Sequence, residues 1–177
     1  MQLRVWSKDM TVVSFPPVDS ASFRRALGQY ATGVAVITGR DGNGERFGLT
    51  VSSFNSVSLD PPLVLFSIDR AARSLPSLLA SEGYAVNILC RHQDHLSNRF
   101  ARYGADKWVS VEHALGHAQA PLLPDTLAHF ECAHYAHYDG GDHVICVGRV
   151  LSFAWNEAER PLIFFRGAYR DLHLDAS

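Results

Sequence analysis

Residues 48–62 alternate apolar and small polar side chains. Leu49, Val51, Val57 and Leu59 fall on one phase, and Thr50, Ser52, Ser56 and Ser58 on the other. A period of two marks a strand, because successive side chains point to opposite faces. The polar phase carries hydroxyls where a solvated strand would carry charges. Ser53-Phe54-Asn55 inverts the pattern, as a bulge or a turn between two strands does. Two readings stay open: an ordinary Thr/Ser-rich strand, or a wall offering hydroxyls and backbone amides to a flat polar ligand.

The same periodicities place the other elements. Ser20 can N-cap a helix whose Phe23, Leu27 and Tyr30 share one face. The β-branched run 34–38 predicts a strand, and the Asp-Gly and Asn-Gly pairs in 39–44 predict a hairpin turn leading into the hydroxyl stretch. Residues 63–68 are wholly apolar, as in a strand covered on both faces. Ser74-Leu75-Pro76 opens a short helix with Leu78 and Leu79 inward. A strand over 84–90 carries Asn87 as its one amide, either a satisfied core group or a ligand contact. Residues 92–103 predict a helix with Leu96 and Phe100 four apart, and the turn-rich 107–124 is a candidate mobile cover. Strands over 127–138 and 144–155 flank the turn Asp139-Gly140-Gly141-Asp142-His143, and 162–165 makes a last strand. Six or seven turn-linked strands against two or three short helices predict a mainly β fold, a β-barrel with short helices. Residues 1–19 read as an N-terminal tail and 20–177 as one domain.

Composition narrows the function classes. The 177 residues are 47% hydrophobic and 19% charged, which fits a soluble domain with a real core. A net charge of -2 without a basic block predicts no nucleic-acid partner. No apolar run reaches the roughly 18–20 residues of a membrane span, and Arg4, Lys8 and Asp9 interrupt any signal-like start. Cys90, Cys132 and Cys146 lie in apolar runs without C-x-x-C spacing, so they read as buried free thiols in a reducing cytoplasm. Nine histidines raise the question of a metal. His134 and His137 sit on a predicted strand and should face opposite sides, and neither H-E-x-x-H nor paired cysteines occur, so no metal is expected. No G-x-S-x-G or G-x-G-x-x-G is present to support a serine hydrolase or a Rossmann domain.

Two candidate sites remain. Arg73 and Ser74 combine a guanidinium, a hydroxyl and helix N-terminal amides, as a phosphate site does and as a plain helix cap also would. His143 beside acids at a turn tip can orient a ligand or carry a proton, or serve solubility alone.

Several segments together resemble the short-chain flavin reductase family, the reductase components of two-component flavin-dependent monooxygenases. They are Phe23-Arg24-x-Ala26-Leu27-x-x-Tyr30-Ala31-Thr32-Gly33-Val34-x-Val36-Ile37-Thr38, Gly48-Leu49-Thr50-Val51-Ser52-Ser53-Phe54 and Ser56-Val57-Ser58-Leu59-Asp60-Pro61-Pro62-Leu63-Val64. Tyr84-Ala85-Val86-Asn87, Arg99-Phe100-Ala101, Lys107-Trp108, Gly141-Asp142-His143, Val147-Gly148-Arg149-Val150 and Tyr169-Arg170 follow in order. The resemblance covers about residues 20–171. It implies an FMN-binding split β-barrel with Greek-key connections, a homodimer, and FAD or FMN bound near the subunit interface. It further implies hydride transfer from NADH, with NADPH the alternative, and delivery of reduced flavin to a partner monooxygenase, one hydroxylating an aromatic substrate. On that resemblance Thr50, Val51, Ser52, Ser53, Ser56 and Ser58 would line the isoalloxazine and ribityl chain. Arg73 and Ser74 would hold phosphate, Asn87 and Phe100 would line the cofactor, and Thr32 would sit near the ring. His143 would orient the nicotinamide, and Tyr169 or Arg170 would position the dinucleotide. A flavin-retaining binding module or sensor, and a split-barrel reductase serving a corrin or ferric acceptor, are the alternatives.

Overall fold

The computed structural model describes residues 17–104 and 107–172. The alternating runs form β1 (Thr32–Gly33), β2 (Ala35–Arg40), β3 (Arg46–Val51), β4 (Asn55–Leu59), β5 (Pro62–Asp69) and β6 (Gly83–Ile88). Two short strands, β7 (Ala114–Leu115) and β8 (Pro121–Leu122), precede the long pair β9 (Ala128–Gly140) and β10 (His143–Trp155), then β11 (Ile163–Phe165) and β12 (Ala168–Arg170). The helices are α1 (Ser20–Leu27), α2 (Leu75–Leu79) and α3 (Asp94–Ala101).

Seven antiparallel strands make one sheet in the order β3-β2-β6-β9-β10-β5-β4. After β5 the chain crosses by way of α2 to reach β6 on the other side of the β9–β10 pair, so the strand order is not a simple meander. The sheet rolls until the Ser53 hydroxyl, just past β3, accepts from Ser67 N at 2.9 Å and donates to Ser67 O at 3.1 Å on β5. A side chain makes that junction, and no β3–β5 ladder is present among the described residues. The seam is therefore open, as the resemblance to a split barrel implies.

Alternation divides the core in two. Ile37, Leu49, Val51, Phe66, Ile68, Tyr84, Val86 and Cys132 fill the inside of the roll. Val34, Val36, Leu89, Phe100, Trp108, Leu123 and Leu162 form a second cluster. Strand β2 contributes to both, and Leu89, just past the end of β6, joins the second, which is why these runs are so apolar; each fully buried aliphatic side chain contributes about 1.5–3 kcal/mol. The second cluster seats α3 against β3, and this positions the site.

Several expected details differ. Asp19, not Ser20, caps α1, its carboxylate accepting from Ser22 N at 2.8 Å. The apolar face of α1 is uncovered: Phe23, Leu27 and Tyr30 are 53%, 58% and 75% exposed. Leu78 is buried but Leu79 is not, because α2 is only five residues long. Helix α3 begins at Asp94, two residues later than expected, and ends at Ala101. Part of 107–124 is packed down: Trp108 meets Phe100 edge-on at 5.0 Å, and Leu123 and Ala120 are buried, while Val109 and Leu115 stay exposed. The expected N-terminal tail, 1–19, lies mostly within residues 1–16, outside the described residues.

Candidate functional site

Residues of β3, the turn after β5, α3 and the segment after it enclose a cavity of about 580 Å³, in the range of small-molecule sites. Strand β3 is the edge of the seven-stranded sheet, so one side of its backbone has no strand partner. Lys107 Nζ donates to Gly48 O at 3.2 Å from that side. By strand alternation the N–H and C=O groups of Thr50 point to the same free edge, and the side chains of Arg46, Gly48, Thr50 and Ser52 share one face. This face meets α3, since Thr50 Oγ1 donates to Ser97 O at 2.7 Å. Gly48 leaves room for the Phe100 ring: a Cβ there would lie 2.5 Å from Phe100 Cδ1 and Cε1.

The cavity lining is strongly cationic. Arg46, Arg73, Arg102 and Lys107 face a single carboxylate, Asp69. Burial lowers the Lys107 ammonium from its ordinary value, and its partners among the described residues are two carbonyls, Gly48 O and Phe100 O at 2.9 Å, with no carboxylate between them. An anionic ligand would supply that missing charge. Helix α2 contributes less than expected: Leu75 N already donates to Ala72 O, and Pro76 has no N–H. An anion at Arg73 and Ser74 would therefore have only their side chains to hold it.

At the rim, the β9–β10 turn is braced from outside. Arg70 donates through Nε to Gly141 O at 2.8 Å and through a terminal nitrogen to Asp139 Oδ1 at 2.6 Å. That guanidinium hydrogen bond holds the Asp139 carboxyl below its ordinary value. His143 Nδ1 lies 2.7 Å from Asp142 Oδ1, which fixes the ring and lowers the Asp142 carboxyl. His143 thus reaches the cavity with Nδ1 engaged and Nε2 left to face a ligand.

Thr50, Val51, Ser52, Ser53, Arg73, Ser74, Phe100 and His143 are brought together here. Ser52 has no protein partner for its hydroxyl among the described residues, whereas the Thr50 and Ser53 protons are already committed. Six expected residues are not in this lining. Ser56 and Ser58 lie on β4, at the opposite edge of the sheet, where a bulge at Val57 breaks the register. Asn87 is a satisfied core group: Nδ2 donates to Val36 O and Thr38 Oγ1, and Oδ1 accepts from Leu123 N. Thr32 pairs with Phe164 in the separate β1-β11-β12 sheet. Tyr169 donates to Ser97 Oγ at 2.8 Å and braces α3 from behind, and Arg170 is exposed beside it. Arg46 is a further lining residue, and its phase in the strand, shared with Gly48, Thr50 and Ser52, is the signal that marks it. Lys107 and Arg102 carried no periodic signal; only the folding of α3 and Trp108 onto β3 brings them in.

A flavin reductase like domain model matches residues 27–173. The chain belongs to the flavin reductase-like domain family. The reductase subunit HsaB of a flavin-dependent monooxygenase from Rhodococcus jostii is 37% identical over 163 residues, covering 92% of this chain and 83% of that protein. The FMN reductase (NADH) SmoA of Agrobacterium fabrum is 42% identical over 151 residues, 85% of each chain. A solved structure of Streptomyces globisporus NADH:FAD oxidoreductase SgcE6, in complex with NAD and FAD fragments, superposes with a TM-score of 0.85 at 36% identity, covering 90% of this chain and 96% of that one. A longer relative from Rhizobium meliloti is 40% identical over 151 residues, and this chain spans 48% of its length.

In this flavin reductase-like domain the donor set fits a flavin nucleotide. The edge strand presents alternating donors and acceptors suited to a planar heterocycle, and the cations suit its phosphate. No metal ligand cluster lines the cavity among the described residues.

Proposed function

We propose that this chain is an NAD(P)H:flavin oxidoreductase that takes hydride from NADH rather than NADPH, reduces FAD or FMN, and passes the reduced flavin to a flavin-dependent monooxygenase that hydroxylates an aromatic substrate. The observation that carries the reading is the free edge of β3 sharing one cavity with four cations. A bound flavin would accept a hydride directly, so no general base is required of the protein in that step. The chain's own work is then binding and orientation. Thr50, Val51 and Ser52 hold the ring edge, Arg73, Ser74 and Lys107 hold phosphate, and Phe100 closes one side. His143, fixed by Asp142, orients the nicotinamide as a hydrogen-bond donor or acceptor, without a proton-transfer role.

The functional unit on this reading is residues 20–177, acting as a cytoplasmic homodimer. Buried thiols support a reducing setting: burial pushes Cys132 up to about 12 and Cys146 to about 11, so neither is poised for disulfide chemistry. A stacked ladder of Phe130, Phe153 and Trp155 on β9 and β10 is exposed at its outer end, with Trp155 at 64%, and a second copy would cover it.

The test is NADH oxidation by the purified chain with FAD, FMN or riboflavin added. Turnover that requires added flavin, with NADPH slower, is expected. Stoichiometric flavin retained through purification with negligible turnover would instead make it a flavin-holding module. Light scattering giving a monomer mass would remove the dimer.

A further inference from the structure

A second group of reactive side chains lies outside the cavity, where the end of β6 meets the segment before β11. Cys90 forms an isolated bridge with Pro161, and Arg91 N donates to Arg160 O at 2.8 Å, so the two segments run side by side. Cys90 Sγ lies 3.5 and 3.4 Å from the two ring nitrogens of His92, and His92 Nδ1 lies 3.8 Å from Glu159 Oε2. One ligand atom from each residue falls within 4.8 Å of the others. His95, three residues on from His92, does not join the group; its Nδ1 lies 3.2 Å from His92 O.

These separations suit a shared ion. Tetrahedral zinc with Zn–S near 2.3 Å and Zn–N and Zn–O near 2.0–2.2 Å places S and N about 3.5 Å apart, and N and O about 3.4 Å apart. The sulfur–nitrogen spacing already agrees. The His92 side chain is 54% exposed and that of Glu159 34%, so ring rotation and a small carboxylate shift can complete the set. Cys90 Sγ now donates to Asp125 O at 3.2 Å, a contact that a metal bond would replace.

We propose that Cys90, His92 and Glu159 bind one zinc-type divalent cation, with water in the fourth position. A thiolate–imidazole–carboxylate set favours zinc over magnesium or calcium, which prefer oxygen ligands alone. On binding, the Cys90 S–H bond breaks, an S–metal bond forms, and the proton leaves to solvent; nothing is oxidised or reduced. The ion clips residues 156–161 to the end of β6. It thereby steadies the approach to β11 and β12, whose Tyr169 braces α3.

The test titrates the reduced full chain, free of any purification tag, with zinc against a chromophoric chelator, and with cobalt by absorbance. One equivalent of zinc, a thiolate-to-cobalt charge-transfer band and a zinc-dependent rise in Tm are expected. Cys90→Ser should lose the band and weaken zinc by more than the roughly 10–100-fold typical of losing an outer-shell partner. Because Cys90 is buried and a serine hydroxyl there carries a desolvation cost of its own, His92→Ala and Glu159→Gln supply the surface controls. Each should weaken zinc about tenfold or more with unchanged circular dichroism and unchanged flavin reduction. No zinc binding by the parent chain overturns the proposal. So does undiminished affinity in both His92→Ala and Glu159→Gln, or loss of the ion in His137→Ala alone, which would place it at the His134–His137 pair.

Discussion

Replacing Gly48 by alanine sets two effects of opposite sign against each other. In an open strand Gly→Ala stabilises by about 0.5–1 kcal/mol, because alanine has less backbone freedom to lose. Here the new Cβ would stand 2.5 Å from two Phe100 ring carbons and 3.4 Å from Trp108 Cζ2, where about 3.5–4.0 Å is comfortable. The ring cannot swing aside, since Phe100 is 1% exposed and packed among Val36, Leu123 and Trp108. Overpacking of this kind costs about 1–3 kcal/mol, so the net change is a loss of roughly 1–2 kcal/mol. For a chain of this size that is about 2–8 °C in Tm. Phe100 also lines the cavity, so its displacement should weaken flavin binding. The assay is a thermal melt with a flavin titration on Gly48→Ala, Phe100→Leu and the double variant. The two changes should couple, the double variant recovering part of the loss. A Gly48→Ala protein as stable as the parent, with the same flavin affinity, would refute the packing of α3 against β3.

Other variants separate the parts of the site. Arg73→Ala should weaken FMN roughly ten- to hundredfold, as expected for one charge-assisted hydrogen bond, but leave riboflavin binding nearly unchanged; equal losses for both ligands would remove Arg73 from the phosphate. Ser52→Leu should weaken all three flavins by a similar factor while the melt stays within about 0.5 kcal/mol of the parent, because Ser52 is exposed and unpartnered; retained flavin affinity would reduce β3 to scaffold. For Asp139 the folded-state carboxyl lies below its ordinary value of 3.8, so its tie to Arg70 stabilises above that pH and is lost as pH falls through the lowered value. The stability difference between the parent and Asp139→Asn should therefore shrink in acid, and urea melts from pH 6 to pH 3 that show a constant difference would exclude the tie.

Local patterns were legible wherever burial acts on one strand at a time. The hairpin of β2 and β3, the apolar β5 and the turn at 139–143 follow from period-two alternation and glycine-containing turns. They stand where the sequence puts them. His134 and His137 show the limit of that reasoning. A bulge places Ala136 opposite Val147 and His134 opposite Gly148, so Tyr135 is extra and the alternation shifts by one. Their nitrogens then meet at 3.2 Å on one side instead of facing apart. Nothing in the strand's own composition marks that slip; the partner strand sets it.

The candidate site divides in the same way. Its polar strand, its Arg73-Ser74 turn and its Gly-Asp-His turn were all visible as residue types in order. Sequence alone thus determined the mainly β class, the family resemblance and eight of the residues lining the cavity. Tertiary structure decided which hydroxyls face one another. It left Ser56 and Ser58 on β4, outside the cavity lining, closed Asn87 into the core, and brought Arg46, Arg102 and Lys107 around the cavity. The physical reason is that periodicity reports which face of an element a side chain occupies. Which elements come to share a cavity depends on the rolling of the sheet and the seating of α3, and both are set by contacts between residues far apart in the chain.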